Sequence, residues 1–161
     1  MYRCVVFADS HGETRNMEYV LERMGKVDMM VHLGDIHRDV VFLQKHYPDI
    51  PLEYVVGNND FWVEGPYQKV IEVASHKIFI THGHLFRTTG DMAKRAVELG
   101  ASMALYGHTH TALEEQLEGI PVLNFGSISR PRRGNCSCGI IEVENGKLSV
   151  MTYDYFDEFG L

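Results

Sequence analysis

Cysteine is scarce in this chain. The three that occur, Cys4, Cys136 and Cys138, are an odd number without a framework of pairs. That points to a reducing compartment and excludes a disulfide-stapled scaffold. The spacing Cys136-x-Cys138 is neither that of a zinc knuckle nor that of a redox pair, so both read as strand residues. Long apolar runs are also missing. No stretch approaches the ~18 consecutive apolar residues of a membrane span, and the run from Val5 to Ala8 meets Asp9 too soon for a signal-peptide core. The expected location is the cytoplasm. Basic residues are outnumbered, 15 Lys and Arg against 22 Asp and Glu, for a formal charge of −7 and a pI near 5.7. This disfavours a protein that coats nucleic acid nonspecifically, which needs a basic face. It does not exclude a phosphate substrate, because bound divalent cations would dominate the local field.

Apolar material is plentiful. The 161 residues are one domain's worth, and with 45% hydrophobic they can bury a core without staples. No repeat, linker or low-complexity tract divides them, so residues 1–161 are expected to form a single domain. Residues 2–8 read as a buried strand ending in Asp9-Ser10-His11-Gly12. Met17, Val20, Leu21 and Met24 recur at helical offsets over residues 16–24, with Gly25 as a stop. Residues 27–33 form a second strand closed by Gly34-Asp35. Residues 38–46 read as a helix with Val40, Val41 and Phe42 on or near its inner face, ended by Pro48. Residues 52–56 make a third strand, closed by Gly57-Asn58-Asn59-Asp60. Strand, turn and helix in this order are an α/β pattern. Sites in open α/β sheets lie beyond the carboxyl ends of strands, so Asp9, His11, Asp35 and Asn58 should gather on one rim.

After Trp62 the texture changes. Residues 67–73 and 77–80 predict a hairpin around Ser75-His76, and its second strand ends in Thr81-His82-Gly83-His84. A helix is predicted over 91–99, with Met92, Ala96 and Leu99 inward and Gly100 as its cap. The strand at 103–106 then leads into Gly107-His108-Thr109-His110. The remainder reads as strands: 113–117 and 122–125 around Glu118-Gly119, then 138–143 and 148–153 around Asn145-Gly146, a strong hairpin signal.

The turns thus present Asp9, His11, Asp35, Asn58, His82, His108 and His110. Imidazoles, carboxylates and one amide oxygen, without thiolate, suit Mn²⁺, Fe, Zn²⁺ or Ni²⁺ better than Mg²⁺ or Ca²⁺. Seven ligands exceed one tetrahedral zinc, but they divide between two ions if a carboxylate bridges. Two ions ~3.5–4 Å apart with a hydroxide between them are arranged for in-line attack on phosphorus.

Asp9-x-His11, Gly34-Asp35, Gly57-Asn58-x-Asp60, His82-Gly83-His84 and Gly107-His108-x-His110 resemble, in order, the five motifs of the calcineurin-like metallophosphoesterase superfamily. The short chain and the run Asn124-Phe125-Gly126-Ser127-Ile128-Ser129-x-Pro131-Arg132 resemble its small prokaryotic phosphodiesterase branch. The resemblance implies two mixed β-sheets packed face to face as a sandwich, flanked by α-helices. Strand and helix patterning alone is compatible with that sandwich without specifying it. The resemblance also implies one divalent ion on Asp9, His11, Asp35 and His110, and another on Asp35, Asn58, His82 and His108, with Asp35 bridging. Mn²⁺ is the favoured ion, with Fe, Zn²⁺ and Ni²⁺ as alternatives. The implied activity is hydrolysis of a small phosphate ester, a diester more than a monoester, by a metal-bridging hydroxide.

Plainer readings stand beside these. Asp9 could cap the helix near Glu13, and Asn58 could be an ordinary turn residue. Asp60 either orients a ligand from behind or caps a turn. His84 lines the substrate pocket, offers only its carbonyl, or is a solvated loop residue. His32, His37, His46 and His76 read as core or surface residues without a role. Arg130, Arg132 and Arg133 form the dense basic cluster, either a clamp for a second phosphate or a nucleotide or a solvated loop. Many phosphatases of the superfamily carry histidine after the motif asparagine, for transition-state stabilisation or proton delivery. This chain has Asn59 there, so Asn59 and His84 are the candidates nearest the leaving group. The tail from Asp154 to Leu161 covers a neighbouring subunit or frays, which leaves a homo-oligomer open. The contrasting function is a non-catalytic scaffold, as in the retromer subunit built on this fold. A whole ligand set, as here, argues against it. A nuclease would want more positive surface than −7 provides, although a short oligonucleotide needs few contacts and leaves that reading open.

Overall fold

Residues 1–154 are described by the structure, a computed structural model. In chain order the elements are β1 (Tyr2–Phe7), α1 (Thr14–Met24), β2 (Met29–His32), α2 (His37–His46), β3 (Leu52–Tyr54), β4 (Gln68–Val73), β5 (His76–Thr81), α3 (Thr89–Glu98), β6 (Met103–Tyr106), β7 (Leu113–Leu117), β8 (Ile120–Asn124), β9 (Ser137–Glu144) and β10 (Lys147–Asp154). They build two five-stranded sheets, ordered β10-β9-β1-β2-β3 and β4-β5-β6-β8-β7. Both are mixed. β1, β2 and β3 run parallel, as do β5, β6 and β8, while the hairpin partners at the edges are antiparallel. Asn145 and Gly146 both have positive φ, as the tight turn between β9 and β10 requires.

The near-continuous apolar runs are explained by burial on both faces. Successive strand residues point to opposite sides. Cys4, Val6 and Ala8 therefore meet Ile78, Ile80 and Leu105 of the second sheet in the sandwich interior. Val5 and Phe7 face outward against Met17, Val20 and Leu21 of α1 and Leu43 of α2. On the far side Phe79, Ala104, Tyr106 and Val122 are covered by Met92, Ala93 and Ala96 of α3. The expected sandwich with flanking helices is thus the observed fold. No helix among the described residues is long and apolar enough to cross a membrane.

Two inward assignments are corrected. Val41 is about half exposed, because Val40 and Leu43, three apart, share the buried face of α2 and Val41 lies off it. Leu99 is also exposed, since α3 has already ended. Gly100, at φ +78, turns the chain there: its N–H bonds Val97 O while that of Ala101 bonds Ala96 O, a Schellman cap. Of the tail from Asp154 to Leu161, only Asp154 lies within the described residues; it ends β10 opposite Ser137.

Candidate metal centre

The parallel strands of both sheets end on one rim. Asp9 and His11 follow β1, Asp35 follows β2 and Asn58 follows β3; His82 follows β5, and His108 and His110 follow β6. Five of these side chains sit on left-handed backbone: Asp9, His11, Asp35, His108 and His110 have φ between 47° and 72°. Non-glycine residues adopt that conformation rarely, and it clusters at functional sites where the surroundings compel it. Asp9 does not cap α1, whose N-cap is Glu13 without a side-chain bond.

The imidazoles are aimed by carbonyls. His82 Nδ1 donates to Leu33 O at 2.8 Å, and His110 Nδ1 donates to Arg130 O at 2.7 Å. With the proton on Nδ1, each Nε2 presents a lone pair, the tautomer that a metal ligand needs. His82 Nε2 lies 3.0 Å from Asn58 Oδ1, 3.4 Å from Asp35 Oδ1 and 3.9 Å from Asp9 Oδ1. His110 Nε2 lies 3.3 Å from His11 Nε2 and 3.4 Å from Asp9 Oδ1. His11 Nε2 is 3.8 Å from Asp35 Oδ2. Lone pairs thus converge on lone pairs, a repulsive arrangement unless a cation lies between them. Asp9 Oδ1 is buried and has no hydrogen-bond partner among the described residues. The groups Asp9, His11, His110 and Asp9, Asp35, His82 each draw their ligand atoms within 4.8 Å of one another. The donor set fits divalent transition metals. His108 offers its ring edge-on to His82, with centroids 5.0 Å apart.

Charge in the site follows from these neighbours. Burial pushes His11 and His108 below the ordinary imidazole value. His110 moves up instead, because the Asp9 carboxylate beside it favours its protonated form. Burial pushes Asp35 up, but His82 and the hydrogen bonds from Asn59 outweigh it and hold the carboxyl below its ordinary range.

Asp60 accepts the backbone N–H groups of Gly57 at 2.7 Å, Asp35 at 3.1 Å and His37 at 2.6 Å. It staples the turn after β3 to the turn after β2 and caps α2, whose own N-cap Ile36 has no side-chain bond. Asn59 gives its backbone N–H to Asp35 Oδ1 at 3.0 Å and its amide Nδ2 to Asp35 Oδ2 at 2.7 Å. Gly57 is required by this close approach: a Cβ there would collide with Asp35 Oδ1. His84 is turned toward the site, 5.4 Å from His82 and 6.3 Å from His108 between centroids, and burial lowers its pKa. Arg130 and Arg132 are exposed, and their charges reach His11 and His110 respectively.

Sequence reading missed a buried chain behind the rim. His32 Nδ1 accepts Gly34 N–H at 3.2 Å, so its Nε2–H donates to Ser10 Oγ at 2.9 Å, and Ser10 Oγ donates to Asp39 Oδ2 at 2.6 Å. Gly12 N–H completes it, 2.8 Å from Asp39 Oδ2. All three side chains are buried. The chain ties the turn of Asp9 and His11 to the turn of Asp35, so His32 has a place in the site after all. Ser129 Oγ and Ser127 Oγ hold the same turn through Asp9 O, at 3.1 and 2.9 Å. His46 bonds within its helix, and His76 bonds Gly146 O, away from the rim. His37 tilts against Tyr54, with ring centroids 5.1 Å apart.

The sequence profile of the calcineurin-like phosphoesterase superfamily domain matches residues 2–146. The chain is 35% identical over 156 residues to a probable metallophosphoesterase of Bacillus subtilis, YsnB, covering 93% of this chain and 89% of that one. It is 36% identical over 176 aligned positions to phosphodiesterase YfcE of Escherichia coli, covering 94% and 92%. Its fold superposes on a predicted phosphoesterase from Streptococcus pneumoniae with a TM-score of 0.79, 33% identity and coverage of 96% and 90%. Vacuolar Protein Sorting 29 from Cryptosporidium parvum shares the fold, with a TM-score of 0.72 at 16% identity and coverage of 94% and 96%.

Proposed function

Because the chain belongs to the calcineurin-like phosphoesterase superfamily and is a metal-dependent phosphoester hydrolase, we propose that it hydrolyses small phosphodiesters with two divalent ions held at this rim. The observation that carries the reading is the convergence of the His82 and His110 Nε2 lone pairs on oxygens and on each other. One ion would be held by Asp9, His11, Asp35 and His110, the other by Asp35, Asn58, His82 and His108. Two such ions would supply a lowered pKa for water, orientation of the phosphoryl oxygens and neutralisation of the negative charge developing on those oxygens. Mn²⁺ is the ion we favour.

The protein's own groups divide the remaining work. Asp35 turns one oxygen toward His11 and the other toward His82, which supports it as the bridge. Asn59 acts through Asp35, holding its carboxylate by two hydrogen bonds. His84 is neutral near pH 7 and can offer an N–H to a leaving oxygen. Arg130 and Arg132 supply positive charge for the phosphate of an incoming substrate. The name of the Escherichia coli relative supports diesters over monoesters. We read residues 1–161 as one cytoplasmic phosphoesterase domain.

The test is a comparison of bis(p-nitrophenyl) phosphate with p-nitrophenyl phosphate after chelation and addition of Mn²⁺, Fe²⁺, Zn²⁺ or Ni²⁺. Metal-dependent turnover with the diester favoured is the expected result. Binding of metal without turnover on any ester would favour a scaffold, as the likeness to the vacuolar sorting protein suggests.

A further inference from the structure

A cleft of about 620 Å³ adjoins the candidate ligand Asn58 and is walled by Phe61, Trp62, Val63, Glu64, Tyr67 and His84. Its aromatic content is unusual for a surface. Trp62 is fully exposed, Phe61 is 73% exposed and Tyr67 is 50% exposed. Single exposed apolar residues need no explanation, but three aromatics around one opening at the edge of a metal site do. Trp62 is also held at φ +63, which a bulky side chain adopts only where the surrounding turn imposes it. The cleft is continuous with the centre: His84 packs edge-on to Tyr67 on one side, at 6.0 Å, and tilts against His82 on the other, at 5.4 Å.

The cleft's chemistry selects among occupants. No Lys or Arg lines it, and its charged groups are Asp60 and Glu64. A second phosphate would be repelled there. A neutral planar ring would stack on Trp62, and a ring amino group could donate to the Glu64 carboxylate, as exocyclic amines do to acidic side chains.

We propose that this cleft is the subsite for the nucleobase of a nucleoside phosphodiester, whose phosphorus sits at the metal centre. The inference rests on the phosphodiesterase reading above and names its substrate class. Trp62 is the base-stacking residue, Tyr67 and Phe61 add aromatic lining to the same cleft, and Glu64 is the polar contact that discriminates among bases.

Trp62 is the chain's single tryptophan, so it reports on its own occupancy. The metal-loaded protein is titrated with adenosine 5′-monophosphate and, separately, with ribose 5-phosphate, following tryptophan emission excited at its red edge. The nucleotide should quench the emission saturably and the base-less analogue should not. Kinetically, the p-nitrophenyl ester of thymidine 5′-phosphate is compared with methyl p-nitrophenyl phosphate, which releases the same phenolate. Trp62→Ala should raise KM for the nucleoside ester about tenfold more than KM for the methyl ester, and Trp62→Phe should recover most of that difference. Equal quenching by both ligands, or equal KM effects on both esters, would overturn the subsite and leave the phosphodiesterase reading standing. Release from neither ester with any metal would overturn that reading and the subsite with it. Emission that shifts with protein concentration alone, with a doubling of mass in sedimentation, would show instead that a second copy covers the aromatics.

Discussion

Asp9 Oδ2, at the end of β1, accepts the backbone N–H of His108, at the end of β6, at 2.9 Å. That bond joins the two sheets and commits one oxygen of Asp9, leaving Oδ1 to face both His110 and His82. Asp35 is placed differently, with one oxygen toward each imidazole set. Removing Asp35 should therefore disturb both ions, and Asp35→Ala is expected to lower metal content toward zero and abolish turnover. Metal analysis of the purified variant checks this; two retained ions with near-normal rate would show that the bridge lies elsewhere.

Asp9→Ala and His108→Ala should fail in different ways, because the proposed division gives the two side chains to different ions. Each variant should keep one ion more tightly than the other. Asp9→Ala should additionally lose stability, since the His108 N–H is left without its acceptor at a cost of about 1–3 kcal/mol. Stepwise metal titration with thermal unfolding separates the two effects. Identical loss of both ions from both variants would count against the division.

His32→Ala tests the buried chain behind the rim. It leaves Gly34 N–H without an acceptor and opens a void beneath the turn of Asp9 and His11. The expected loss is about 1–3 kcal/mol, a fall in Tm of several degrees for a domain of this size. Metal affinity should fall about 10–100-fold, as for other residues that support ligands from behind. His32→Gln, which can offer both an acceptor and a donor, should recover part of both. Unchanged metal affinity in a destabilised His32→Ala would confine this residue to folding alone.

How far such features could be read in advance depends on whether they are local. Asp9, His11, Asp35, Asn58, His82, His108 and His110 each follow an apolar run and a turn, so their common rim was legible from strand ends and from the family motifs. Which oxygen faces which nitrogen was not, because that depends on how the sheets meet. His32 looked like a core histidine for the same reason. Its partner Ser10 is 22 residues away, Ser10 in turn bonds Asp39 a further 29 residues off, and only the parallel pairing of β1 with β2 and the docking of α2 bring the three together. The sandwich itself needed the resemblance, since an apolar run buried on both faces carries no alternation to say how many layers cover it. Trp62 passed as a mark of changing texture, because no residue pattern around it signals its full exposure or its left-handed backbone.

Metal affinity should depend on pH through His110. The Asp9 carboxylate favours the protonated form of this imidazole and raises its pKa above the ordinary value of 6.5, and an incoming ion competes with that second proton for Nε2. Affinity should therefore rise with pH until the raised pKa is passed and be flat above it. Below that point it should fall by about tenfold per pH unit for each proton displaced. Isothermal titration in buffers of different ionisation enthalpy counts the protons released. Release that is absent at low pH and grows as pH rises would contradict the assignment.

Asn59 stands where many phosphatases of the superfamily carry a histidine, and its amide is bonded to Asp35. An amide can donate a hydrogen bond but cannot deliver a proton near neutral pH. General acid catalysis typically contributes ~10²–10⁴-fold, and most where the departing oxyanion is a strong base. Phenolates should leave readily without it, whereas alkoxides should depend on His84 or on water. Rate should therefore fall steeply as leaving-group pKa rises, with nitrophenyl esters cleaved well and alkyl esters poorly. Asn59→His should flatten that slope by helping the poor leaving groups selectively. It also removes the amide bond to Asp35, so metal content must be measured alongside to separate a loosened bridge from a supplied proton. A series of aryl and alkyl esters assayed on both proteins gives the slopes. Equal slopes at equal metal content would place proton delivery elsewhere, and His84→Ala, assayed on the same series, should then steepen the dependence.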